Sequence, residues 1–310
     1  MIKSYNSIDL LKFLCSIGIV ALHIPPVGPS SGLLPYINFV TSLCVPLFFI
    51  FSSFLFFNNK KIEVGYKDIK KFVTRLSILY VCWFIINLII NPSHTKFGNI
   101  IVNVILGNTF PGSWFYSALV VSTLIVFGLS KIKKIFWIIF PLCIYIYISM
   151  NFSGLLNDGL FNWYQNNIQV VFLSLPYALV WTTIGYLLNK NKWLIVFNAM
   201  LIISFVVLWL MYEDSVIEIV SWYVRLVLSE LIAFFCVNYN IKLKLPYKYL
   251  RNISTLIFMI HFYFLFNTSD IFCGNINFKF FTATILSVVI SIIIIKLSKM
   301  KYLSVLRRLY

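Results

Sequence analysis

The stretch Ile8-Asp9-Leu10-Leu11-Lys12-Phe13-Leu14-Cys15-Ser16-Ile17-Gly18-Ile19-Val20-Ala21-Leu22-His23-Ile24-Pro25 decides how the whole chain is read. It is long and apolar enough to enter a bilayer as a helix, yet it carries Asp9 and Lys12 near one end and His23 near the other. Ionisable groups inside a span are costly and call for a reason. Lys12 and His23 are eleven positions apart. At about 100° per residue this is three turns plus roughly 20°, so both project from one face, separated by about 16 Å along the axis. One helix face thus offers a cation at one membrane surface and an imidazole towards the other.

Working outward, the composition sets the class. Of 310 residues, 61% are hydrophobic and only 11% charged, with a mean hydropathy of +0.92. A soluble core of this size needs far more polar surface, so the chain reads as an all-α polytopic membrane protein embedded in the lipid bilayer. The net charge of +16 does not indicate nucleic acid, because the cations sit in short loops between apolar spans rather than on one face. The cysteines Cys15, Cys44, Cys82, Cys143, Cys236 and Cys273 are scattered singly, with neither metal-binding nor disulfide spacing, so no metal is expected. The first span lies where a signal peptide would. It lacks Ala-x-Ala cleavage chemistry and carries charge within it, so it is expected to be retained.

Apolar runs near 8–24, 36–57, 74–91, 114–130, 135–150, 169–188, 193–211, 217–238, 253–268 and 279–297 predict about ten transmembrane helices. The Lys and Arg distribution is an independent test, because positive loops stay cytoplasmic. All but four of the 25 Lys and Arg residues fall in the two tails or in alternate loops; the exceptions are Lys96 and Lys279 in the other loops, and Lys12 and Arg225 within spans. That alternation places both termini in the cytoplasm. No segment between spans is long enough for a soluble domain, so residues 1–310 are expected to form a single transmembrane domain. The longer loops at 92–113 and 151–168 are nearly free of cations and are expected to cover an outward-facing cavity. Pro111-Gly112-Ser113 forms a turn that delivers Trp114 and Phe115 to the interface.

The intramembrane polar residues each have two readings. Lys12 either snorkels to the inner surface or binds a ligand, and His23 either rests in the outer interface or does chemistry. Asp9, three positions before Lys12, is most simply its local partner. Arg225 and Glu230 are about 140° apart around their helix, poorly placed to pair with each other. Each needs a partner on another helix or a wet cavity, in a structural ion pair or in a functional site. His261 falls near mid-membrane and is either a satisfied inter-helix histidine or a second catalytic group. His94 is a loop histidine, read as solvated. Trp114, Trp163 and Trp222 lie near the outer rim, where aromatic faces can stack on sugar rings.

The pattern from Ile8 to Lys12, followed by ten residues and His23, resembles the opening helix of membrane acyltransferase family 3, where a basic residue, ten residues and a histidine form the signature. Most members carry Arg as the basic residue; here it is Lys12. Val45-Pro46-Leu47-Phe48-Phe49-Ile50-Phe51-Ser52-Ser53-Phe54-Leu55 is similar to the second-span motif, with Ser53 where glycine is usual. Arg75-Leu76 leading to Tyr80 and Trp83, Trp114-Phe115-Tyr116-Ser117-Ala118-Leu119, Leu175-Pro176-Tyr177 with Gly185, and Ser254 to His261 resemble later blocks in the family's order.

The resemblance implies a membrane O-acyltransferase that moves an acetyl group from cytoplasmic acetyl-CoA to a hydroxyl of a cell-surface or capsular polysaccharide or its lipid-linked precursor, in a bacterial inner membrane. On that reading His23 is the catalytic base, with Asp9, Glu230 and His261 as further catalytic candidates. Lys12, Lys71, Arg75 and Arg225 would bind the donor, and Trp114 and Tyr116 the acceptor. The chemistry of the residues makes this plausible on its own terms. Histidine, with an unperturbed pKa of about 6.5, suits proton removal from a sugar hydroxyl. The phosphates of coenzyme A should dock on a cationic inner surface where Lys12, Lys71 and Arg75 converge if the first and third spans are neighbours. Some relatives carry an extra hydrolase-like domain. Without one, the chain is expected to complete transfer itself or to hand the acyl group to a separate cell-envelope assembly protein. The alternative is a transporter or flippase of a polar or lipid-linked sugar, its intramembrane charges lining a pathway. A third reading is a scaffold in polysaccharide assembly.

Overall fold

The structure, a computed structural model, describes residues 5–58, 64–96, 98–132, 175–188, 198, 202, 216–267 and 276–310. Among these residues there is no strand. The helices are α1 (Asn6–His23), α2 (Leu34–Ser42), α3 (Cys44–Asn58), α4 (Tyr66–Ile90), α5 (Ile100–Leu106), α6 (Ser113–Ser130), α7 (Leu175–Leu187), α8 (Val216–Asn238), α9 (Tyr247–Asn267) and α10 (Ile276–Leu297). A closing 3-10 helix spans Lys301–Leu309. Six stretches among the described residues are long and apolar enough to cross a membrane: Asn6–His23, Leu34–Asn58, Tyr66–Ile90, Ser113–Ser130, Val220–Asn238 and Phe278–Leu297. The helix Tyr247–Asn267 carries Lys248 and Arg251 in its opening turns and is not among the six. The spans expected at 135–150 and 193–211 lie outside the described residues apart from Asn198 and Ile202, as does the start of the one at 169–188.

α1 is the hub. It packs along α9 and also meets α2, α3, α8 and α10. Its buried residues Ile8, Cys15, Ile19 and Val20 recur at helical spacing, which gives it an apolar face to seat among those neighbours. Pro25 and Pro26 follow its last residue, His23, and no helix continues through them. α1 and α9 run in the same direction. Asp9 and Arg251, each near the start of its helix, form an ion pair at 3.8 Å, while His23 and His261, further along, stack ring on ring.

The second pillar is α3 against α7. Ser53 Oγ donates to the carbonyl of Thr182 at 2.6 Å, and Gly185 lies so close to α3 that a Cβ added there would sit 2.4 Å from the Ile50 carbonyl oxygen. Two small side chains at one crossing let the backbones approach, the usual device for packing helices where lipid removes the hydrophobic drive between them. The turn before α6 is equally tight. Gly112 has φ +83°, its Cα faces the Phe262 ring, and Ser113 Oγ bonds the carbonyls of Gly107 and Phe110.

The α3–α7 crossing yields a direct test. Gly185→Ala forces a methyl into backbone and should destabilise the protein by roughly 1–3 kcal/mol. Gly128→Ala in α6, where a Cβ meets nothing within 4 Å, should leave stability unchanged or slightly raised. Melting curves in detergent that rank the two variants the other way would contradict this packing.

Candidate active site

The site is built around α1, whose two ends face different chemistry. At its start, Lys12 Nζ donates to Ser52 Oγ at 3.4 Å and lies 5.4 Å from the centroid of the Phe48 ring, so both its partners come from α3. The Asp9 carboxylate makes its ion pair with Arg251 of α9, and Lys12, the local partner expected from sequence spacing, is its second electrostatic partner. The reason is packing: α9 brings a guanidinium to a carboxylate that is 8% exposed, and a buried carboxylate needs a counter-charge. Asp9, Lys12, Arg75 and Arg251 are linked electrostatically. Asp9 is separated from His23 by most of the helix and is not brought to it.

At the other end the exposed ring of His23 lies 5.4 Å from that of His261, with planes 23° apart, and 5.3 Å from Phe262. His261 is fully buried. Its Nδ1 is 3.0 Å from the Ile257 carbonyl oxygen, which can only accept, so in the neutral ring Nδ1 holds the proton and Nε2 the lone pair. That Nε2 is buried and has no partner. The structure therefore sets an exposed imidazole on a buried one whose orientation is fixed by its own helix.

Aromatic rings join the two ends. Lys12 lies over Phe48, Phe48 packs on Phe258 at 5.9 Å, Phe258 on His261 at 6.3 Å, and His261 on His23. Tyr116 flanks this wall through Phe258 at 6.3 Å, with its hydroxyl buried and unpartnered. Trp114 packs against Phe49 at 6.1 Å, one layer further out.

The other sequence candidates separate. Lys71 and Arg75 line a cavity of about 570 Å³ together with Lys67, Lys70, Arg307 and Arg308. Lys12 is not among its lining residues; Arg75 joins the two regions, lining the cavity with the closing helix while standing within electrostatic range of Lys12. Arg225 sits elsewhere, its guanidinium 4.8 Å from the Trp222 ring and 5.6 Å from Phe39. Glu230 is buried and accepts from Asn198 Nδ2 at 2.8 Å through Oε1, while Oε2 has no partner. Trp163 lies outside the described residues. Sequence reasoning missed Arg251 as the partner of Asp9, Ser52 and Phe48 as partners of Lys12, and Arg307 and Arg308 as cavity residues. In the sequence all three cations register only as topology markers.

With this geometry in place, comparison with known proteins decides the class. A family described as an acyltransferase domain matches residues 5–296. The chain belongs to membrane acyltransferase family 3. The match runs from the start of α1 through α10, so it includes Lys12, His23, the α3 and α6 blocks and His261. No curated protein and no solved structure matches the chain. Family membership and the apolar helices make this acyltransferase a membrane protein.

The Asp9–Arg251 contact can be tested by a double-mutant cycle. Arg251→Ala leaves a buried carboxylate unpaired and should cost roughly 1–2 kcal/mol, discounted because Arg251 is half-exposed. Asp9→Asn combined with Arg251→Ala should cost less than Arg251→Ala alone. Equal losses in detergent melting would show that the pair does not hold α1 to α9.

Proposed function

We propose that this acyltransferase moves an acetyl group from acetyl-CoA to a hydroxyl of a cell-surface or capsular polysaccharide, or of its lipid-linked precursor, with α1 spanning the route between donor and acceptor. The observation that carries the reading is the layout of α1: Lys12 at one end, His23 stacked on a buried histidine at the other, and a continuous aromatic wall between them. The helix length between the two residues, about 16 Å, is of the order of a pantetheine arm. The phosphates of the donor would rest at the cationic end, where Lys71 and Arg75 lie, and the thioester would reach His23 past the rings of Phe48 and Phe258.

His23 then acts as general base. It takes the proton from the acceptor hydroxyl as that oxygen attacks the thioester carbonyl. The tetrahedral intermediate collapses with loss of the coenzyme A thiolate, and the imidazolium returns the proton to that sulfur. His261 serves as a positioning residue: its ring backs His23, and its Nδ1–H is committed to the Ile257 carbonyl. Direct transfer needs no protein nucleophile. Ser53 is engaged with Thr182 and fully buried, and Ser52 is met by Lys12. Trp114 and Tyr116 flank the acceptor side. In the cell the cationic end would face the cytoplasm and its acetyl-CoA pool, with both termini on that side of the inner membrane.

His23→Ala should abolish acetyl transfer, with a drop of about a hundredfold or more and a melting temperature close to wild type. Lys12→Ala should weaken acetyl-CoA binding and leave residual turnover at saturating donor. Transfer at the wild-type rate by well-folded His23→Ala protein, followed as thiol release from acetyl-CoA in the presence of capsular oligosaccharides, would overturn the assignment.

A further inference from the structure

The cavity beside α4 collects cations in a way that fold stability does not explain. Lys67, Lys70, Lys71 and Arg75 come from the first turns of α4, and Arg307 and Arg308 from the closing 3-10 helix. Thr74, Ile78, Leu79 and Tyr310 complete the lining, which thus contains no Asp or Glu side chain. The α4 cations also stand near the positive end of their own helix dipole, where basic residues are unfavourable. Six like charges around one space repel one another, and the arrangement is costly unless something anionic occupies it.

The closing helix is nonetheless held in place by specific contacts. The Trp83 indole N–H donates to the Leu309 carbonyl at 3.3 Å, and Leu309 is buried. The hydroxyls of Tyr310 and Ser298 meet at 2.6 Å. Arg307 donates through Nε to the Ser298 carbonyl at 3.0 Å, which fixes the guanidinium plane and leaves its terminal nitrogens uncommitted. Apolar and hydrogen-bonding contacts thus bring Arg307 and Arg308 against the α4 cations despite their charge. Guanidinium forks suit phosphate oxygens, and flexible lysines suit diffuse phosphate charge.

We infer that the closing helix Lys301–Leu309 completes a polyphosphate-binding site, with Arg307 and Arg308 clamping a multiply phosphorylated ligand against Lys67, Lys70, Lys71 and Arg75. Occupancy of the cavity fastens this helix onto α4. The ligand chemistry is that of clustered phosphates. Its source is the 3′-phosphate and diphosphate of the coenzyme A donor, an identification that rests on the proposed function. An anionic lipid headgroup offers similar chemistry and is distinguished by the test.

The experiment uses the full chain in nanodiscs of phosphatidylcholine alone, with a parallel set containing phosphatidylglycerol. Binding of coenzyme A, dephospho-coenzyme A and inorganic pyrophosphate is measured by calorimetry, and hydrogen exchange is followed over residues 301–310. In phosphatidylcholine, coenzyme A should bind and slow exchange in this segment, more strongly than dephospho-coenzyme A. Arg307→Ala/Arg308→Ala should weaken binding about tenfold or more, and Arg307→Lys/Arg308→Lys should fall between. Saturating acetyl-CoA should restore thiol release in the alanine variant, because the reacting end is untouched. Coenzyme A binding that is insensitive to both arginines, with unchanged exchange, overturns the inference while leaving the donor reading intact. Pyrophosphate binding that depends on the two arginines, with no binding of coenzyme A, supports the phosphate site and contradicts the donor reading. Protection that appears only with phosphatidylglycerol overturns the soluble donor as the ligand.

Discussion

The pairing of α1 with α9 is the contact on which the rest depends. Two polar groups of α1 cannot be left in an apolar bundle alone, and α9 meets both: Arg251 receives Asp9 near one end and His261 backs His23 near the other. Because the two helices run in the same direction, one interface fixes a charged contact and an imidazole pair at separate depths. The other helices then close around α1, with α3 supplying Ser52 and Phe48 for Lys12 and carrying Phe49 against Trp114. A bundle whose central helix carries Asp, Lys and His accepts a desolvation cost that a purely structural helix would avoid, and such costs concentrate where chemistry is done.

The aromatic content, which in composition alone looks like generic membrane packing, has a local role. Phe258 touches Phe48, Phe115, Tyr116, His261 and Phe262, so one ring ties the Lys12 neighbourhood to the imidazole pair and to the start of α6. Gly112 contributes by absence. Without a Cβ it admits the Phe262 ring, which itself lies against both histidines. The α6 turn, the α9 rings and the end of α1 are therefore a single packed unit, held in register by contacts that exclude water from one side of His23.

Much of this was legible in the sequence, for identifiable reasons. A helical span with a basic residue and a histidine eleven positions apart is a periodic signal, and α1 keeps it without interruption from Asn6 to His23. Pro111-Gly112-Ser113 announced its turn because glycine and proline act locally. What stayed hidden were relations between distant segments. Proximity in sequence links Asp9 to Lys12, whereas its ion-pair partner Arg251 reaches it only through the packing of a helix more than two hundred residues later. Lys71 and Arg75 stand out in the sequence as cations at the entry to a span, but their cavity neighbours Arg307 and Arg308 merge into the positive-inside pattern, which every cytoplasmic loop shares. Charge bias reports the side of the membrane and says nothing about which loops meet.

The central claim is that one route runs from the cationic cavity along α1 to His23. An experimental structure with a non-hydrolysable acetyl-CoA analogue, its thioester replaced by a thioether ketone, tests it most directly. The account predicts phosphate density within hydrogen-bonding distance of Lys71, Arg75 and Arg307, with the acyl end beside Phe258 and directed at the His23 ring. An analogue bound with its acyl end away from α1, or with its phosphates at the His23 end, would contradict it.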